Sequence, residues 1–175
     1  MHVKAASYRG HNRGTRTVQD EEIALIERLL DPGHVMVAVV TLVVVAACVL
    51  LHFEASSVLS RRMRRTTASR RRRFLGLMYG LLAAHVLEIW LFGLAAWWLT
   101  DATAGAVAGT TPMENGLDYI YLSAITFTTL GYGDVFPEGP LRFLMGTESL
   151  TGFMLITWSA SLTFLEMQRH WNDQT

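Results

Sequence analysis

The chemistry of this chain is concentrated in three places. The first is the string TTLGYGD, Thr128 to Asp134. Glycine tolerates backbone conformations that other residues resist, so Gly131 and Gly133 can turn their carbonyl oxygens toward a common axis. Four such strands around one axis would make rings of oxygens able to replace the hydration shell of a cation. The Thr129 hydroxyl would add a further ring at the inner end. The second place is His85 with Glu88, three residues apart and so on one helical face. The third is Glu148, a carboxylate in an otherwise apolar block.

These groups only make sense in their setting. The chain has 175 residues, of which 51% are hydrophobic and 17% charged. That charge share is well below the usual quarter for a soluble domain, and the apolar residues cluster in long blocks. The class is a membrane protein. Formal net charge is zero, yet the distribution is uneven. Cys48 is the one cysteine, which excludes an internal disulfide and reads as a small core or lipid-facing residue. The first apolar block is too long and too far in for a cleaved signal peptide, and none is expected.

Along the chain, Met1 to Gln19 reads as a polar arm, followed by a short amphipathic helix, DEEIALIERLL, lying at the membrane interface. Residues 1–33 form this leading segment, and the Asp31-Pro32-Gly33 triplet is expected to break it. His34 to Phe53 carries no charge and has the length of a spanning helix. His34 and His52 at its ends read as imidazoles reaching the headgroup layer, with little weight for a metal role. Residues 54–73 are expected to form a basic loop, with eight arginines between Arg61 and Arg73. Nucleic-acid binding would need a domain to present them, and voltage sensing would need them inside a hydrophobic helix. The positive-inside rule accounts for them best: a cytoplasmic loop able to meet anionic lipid headgroups.

Residues 74–99 form the next span, with Trp97 and Trp98 as an aromatic belt. His85 and Glu88 fall near its middle, where ionisable groups must face protein. The pair reads first as a helix–helix hydrogen bond and second as a pH-sensing or ion-coordinating site. Asp101 to Gly116 is a small-residue loop. Residues 117–128 make a helix too short to span, and residues 141–166 make the last span, leaving 167–175 as a cytoplasmic tail. The arginines place the start of the first span outside.

A spanning helix, a half-helix, a glycine-tyrosine-glycine strand and another spanning helix, in that order, resemble the pore domain of the potassium channel family. Its usual filter is Thr-Val/Ile-Gly-Tyr-Gly-Asp. The resemblance covers residues 74–166, about half the chain, and is to prokaryotic-like members. It implies an all-α membrane protein of the potassium-channel pore type with an additional N-terminal transmembrane helix. It also implies passive conduction, no catalysis, no cofactor, K+ as the permeant ion, a homotetramer and a bacterial plasma membrane.

Position by position, it implies a selectivity filter at Thr129, Leu130, Gly131, Tyr132 and Gly133. K+ would meet the carbonyls of Thr129, Leu130, Gly131 and Tyr132 and the Thr129 hydroxyl. Asp134 would stand at the outer mouth, Thr128 and Glu148 would support the filter, with a pore-facing place attracting cations as the alternative for Glu148, and Gly152 would be a hinge candidate, with close helix packing as the competing account. Leu130 replaces the commoner valine or isoleucine. Ile125 stands where some members carry a carboxylate, so Asp134 needs another partner: a tyrosine, a tryptophan or water. No voltage-sensor helix ahead of the pore and no ligand-binding domain after Trp171 are expected. A weakly selective cation channel and a non-conducting membrane subunit are the alternatives.

Overall fold

The computed structural model describes residues 23, 31–65, 69–103 and 106–172. The expected N-terminal arm and amphipathic helix lie almost wholly outside the described residues. Four helices and a two-stranded sheet make up the rest: α1 (Pro32–Arg65), α2 (Arg70–Thr103), β1 (Ala106–Gly109), α3 (Gly116–Phe127), β2 (Val135–Glu138) and α4 (Leu141–Asn172). The fold is all-α, and α1, α2 and α4 are each long and apolar enough to cross a membrane.

The Asp31-Pro32-Gly33 triplet starts a helix here. The Asp31 carboxylate accepts from the Gly33 amide at 3.2 Å, and its carbonyl accepts from the Val35 amide at 3.1 Å. Pro32 takes the first helical position, where its missing N–H costs nothing. From there α1 runs 34 residues. At 1.5 Å per residue that is about 50 Å, well beyond a hydrocarbon core of roughly 30 Å. The helix therefore continues past Phe53 and carries Arg61, Arg62, Arg64 and Arg65 with it, while α2 begins at Arg70. Residues 54–65 and 70–73 of the expected loop 54–73 are therefore helical. Arginine is a good helix former, and backbone hydrogen bonds continue unbroken into the aqueous layer.

The two long helices form a tight hairpin. A Cβ at Gly80 would collide with the Leu59 side chain, so glycine sets the approach of α2 to α1 there. Met63, Leu77 and Leu81 close this end with Leu59, Met78 and Leu162.

The short helix α3 is capped from its own sequence. Asn115 accepts from the Leu117 amide at 2.9 Å, and the Asp118 carboxylate accepts from the Asn115 amide at 2.9 Å. This reciprocal box satisfies donors that a helix start leaves orphaned. Twelve residues give a rod of about 18 Å, too short to span. Two glycines seat it. Gly93 of α2 lies against Ile120, where an added Cβ would stand 2.9 Å from the Ile120 Cα. Gly152 of α4 lies against the other end, where a Cβ would collide with the Phe127 carbonyl. Phe92, Leu99, Leu122, Phe127, Leu144 and Met145 fill the core between them.

The segment after Thr103 had been expected as a loop. Part of it, β1, pairs antiparallel with β2, from Ala106 opposite Glu138 to Gly109 opposite Val135. Alanines and glycine give weak strand propensity, so the pairing owes more to the partner strand than to β1 itself.

Candidate functional site: the Thr129–Asp134 segment and its supports

The end of α3 determines how the glycine-rich segment departs. Thr129 N donates to the Thr126 carbonyl at 3.0 Å, and Leu130 N donates to the Ile125 carbonyl at 3.0 Å. This double closure is the Schellman arrangement, with Thr129 in the left-handed position at φ 56° that glycine usually takes. Gly131 follows at φ 98°. A positive φ two residues after the first, with Leu130 between them outside that region, alternates the hand of the backbone. Residues 128–133 are all exposed in the single chain, Leu130 at 78%. Within the chain, Leu130 does not pack on α3. Tyr132 does reach back, its hydroxyl 3.2 Å from Thr126 Oγ1.

Asp134 is held at two points. The Tyr121 hydroxyl donates to its carboxylate at 3.1 Å, and the Thr110 amide donates to its carbonyl at 2.8 Å. The carboxylate accepting its proton holds the Tyr121 phenol above its ordinary value of 10. Of the partners open to Asp134, a tyrosine takes the place, donated from α3. Ile125 is buried, and its carbonyl serves the helix cap.

Behind the segment, Glu148 of α4 is fully buried and accepts a short hydrogen bond from Ser123. The Ser123 hydroxyl also lies 2.8 Å from the Ile89 carbonyl of α2. One serine thus stitches α3 to both neighbouring helices. The Ser149 hydroxyl donates to the Thr126 carbonyl at 3.1 Å, and the Thr128 hydroxyl to the Ala124 carbonyl at 2.7 Å. Gly152 has a packing reason for being glycine, its contact with Phe127.

Deeper along the hairpin lies a second polar group. His52 Nδ1 is 2.9 Å from Glu88 Oε1, and His85 Nδ1 is 2.9 Å from Glu88 Oε2. The Nε2 atoms of both rings converge on Ser159 Oγ, at 3.4 Å for His52 and 3.0 Å for His85. His52 was expected at the headgroup layer. It is instead completely buried, because α1 extends well beyond it. The expected pair of His85 and Glu88 is therefore part of a larger group drawn from α1, α2 and α4. His34 stays at the surface beside Asp31.

Tyr121, Ser123, Ser149, His52 and Ser159 were not singled out as partners from the sequence. Each is a common residue type, and only its position against another helix gives it a role. Tyr121 left one signal, its place on the face of the half-helix leading to Asp134.

A comparison with curated proteins and one with solved structures each returned no match. A family profile described as "Ion channel" matches residues 74–169, more than half of the chain, taking in most of α2, all of α3 and the glycine-rich segment, and most of α4. The matched region is the same unit that holds the half-helix between two spanning helices. This chain belongs to the ion-channel family.

Proposed function

We propose that the chain is one subunit of a homotetrameric potassium-selective channel, with Thr129 to Gly133 as its filter. The observation that carries this reading is the exposed Thr129–Gly133 segment at the C-terminal end of α3, with positive φ at Thr129 and Gly131. In an extended strand successive carbonyls point to opposite sides. Alternating hand turns them toward one side, as a row of ion ligands requires. Irregular backbone at membrane depth is tolerated only where it lines an enclosed cavity. The carbonyl end of α3 adds a partial negative charge that favours a cation nearby.

One chain supplies one such row. Closing a ring around an ion takes several copies, and a cyclic homo-oligomer is the simplest closure. In this reading Asp134 stands at the outer mouth, Glu148 and Thr128 brace the filter, and α4 lines the inner pathway. The basic ends of α1 and α2 lie on the cytoplasmic side of a plasma membrane, against anionic headgroups, which puts the start of α1 outside.

The test is ion flux through purified protein in liposomes, under a potassium and then a sodium gradient, with Gly131→Ala as control. At φ 98° an alanine is strained, so the variant should lose flux. Potassium flux that vanishes in the variant supports the proposal. Equal sodium and potassium flux would establish a weakly selective cation pore instead, the alternative that Leu130 keeps open. Absence of flux from intact tetramers in every condition of pH and lipid would reject both.

A further inference from the structure

We propose that His52, His85 and Glu88 form a binding site for a transition-metal ion of the Zn2+ type, placed between α1 and α2. The inference is independent of which ion the pore passes.

The donor set comes first. Two imidazole nitrogens and a carboxylate oxygen lie within 4.8 Å of one another, and His52 and Glu88 are fully buried. Zinc holds nitrogen and oxygen ligands at about 2.0–2.2 Å, so neighbouring ligand atoms stand roughly 3 Å apart. Each His Nδ1 is already 2.9 Å from its own Glu88 oxygen. The Glu88 carboxylate therefore already links the two rings, one on each oxygen. Two histidines and one glutamate are a known zinc set that leaves a further position open. Imidazole nitrogen disfavours Mg2+, Ca2+ and K+, which select oxygen.

The proton count around Ser159 points the same way. If both Nδ1 atoms carry protons toward Glu88, both Nε2 atoms offer lone pairs to one hydroxyl, which has one proton to give. One ring nitrogen then goes unsatisfied in a buried place. A metal on both Nδ1 atoms reverses this. Each ring then carries its proton on Nε2, and the Ser159 oxygen has two lone pairs to accept both. The Ser159 proton becomes free for a carbonyl one turn back, the bond that Ser161 and Thr163 on the same helix make. Ser159 then orients both ligands, as outer-shell partners of metal-bound histidines do. A third proton shared within the group would also close the ring of contacts, and it is the rival occupant.

Access and consequence follow from position. His85 is partly exposed on a groove of about 620 Å³ between α2 and α4, shared with Leu82, Ser159 and Thr163. Cys48, one turn from His52, points its sulfur to the Glu88 backbone oxygen at 4.0 Å and stands outside the set. The matched ion-channel unit begins at residue 74, so His52 lies on the added helix. The site thereby gives α1 a reason to be there. It ties α1 to α2 directly and to α4 through Ser159.

The experiment uses the full chain, purified without a histidine tag, stripped with a chelator and reloaded with Zn2+. Metal content per chain and X-ray absorption at the zinc edge are measured. The expected result is one tightly held zinc per chain with nitrogen and oxygen neighbours at about 2.0–2.2 Å, including imidazole scattering. His52→Ala and Glu88→Gln should weaken binding by at least about 100-fold, and Ser159→Ala by about 10- to 100-fold. His34→Ala, at the exposed Asp31 pair, should leave it unchanged. A wild-type protein that retains no zinc overturns the proposal in favour of the third proton. So does zinc held equally by wild type, His52→Ala and Glu88→Gln. Should those variants fail to fold, the wild-type spectrum decides, and lack of imidazole scattering overturns it.

Discussion

Tyr121 and Asp134 meet at the outer end of the glycine-rich segment, where the phenol donates to the carboxylate at 3.1 Å. The contact spans from α3 to the residue just past Gly133. In the proposed channel it takes the place of the pore-helix carboxylate, with a neutral donor. Tyr121→Phe keeps the ring and removes the donor. If the proposed potassium channel is right, it should speed the decay of current and leave assembly intact. Asp134→Ala combined with it should add less than it does alone, since both remove the Tyr121–Asp134 interaction. Recordings from the two single variants and the double variant check this, and fully additive effects would count against the pairing.

The same contact has a pH signature. A group whose folded value is raised favours its protonated form, so the interaction is fully present below the ordinary value of 10 and fades as pH rises through the raised value. Ultraviolet titration of tyrosinate absorbance should show Tyr121 and Tyr132 titrating late, the second because burial raises it. Tyr121→Phe should remove one of the two late components.

Glu148 and Ser123 give a graded test. Glu148→Ala leaves a buried serine with one partner fewer and a void beside it. It should lower thermal stability of the assembled protein by about 2–4 kcal/mol. Glu148→Gln retains a polar group of similar shape and should cost less than half as much. Melting followed by size-exclusion chromatography distinguishes the two. Equal losses would argue for a requirement for charge rather than for a hydrogen bond.

Two glycines on α4 behave oppositely. A Cβ at Gly152 meets the Phe127 backbone, while a Cβ at Gly146 meets no atom of the chain within 4 Å. Gly152→Ala should destabilise by about 1–3 kcal/mol through overpacking. Gly146→Ala should be neutral or stabilising by up to about 1 kcal/mol through helix propensity. If Gly152→Ala assembles and melts like wild type yet changes open probability, the glycine serves as a hinge rather than a packing site.

Thr129 combines a strained backbone with a useful hydroxyl. Thr129→Gly should relieve about 1 kcal/mol of left-handed strain and, in the proposed channel, remove a hydroxyl ligand from the filter. Stability should hold or rise while potassium flux falls. A fall in both would show that the side chain also holds the fold.

Much of this protein was legible in its sequence because the relevant signals are local. Apolar runs of the right length mark α1, α2 and α4. The apolar run after Gly116 marks α3, and the spacing of Gly131, Tyr132 and Gly133 marks the segment that follows. The helix ends were less legible, since a membrane helix ends where its backbone bonds end and not where its apolar residues do. That is why Arg61 to Arg65 read as loop and His52 as a headgroup-level residue. The contacts between elements were decided only by the tertiary structure. Whether Tyr121 reaches Asp134, Ser123 reaches Glu148, or His52 joins His85, Glu88 and Ser159 depends on how each helix is rotated and shifted along its neighbour. Close approaches at Gly93, Gly152 and Gly80 set those shifts, and a residue's own neighbours in sequence carry no record of them.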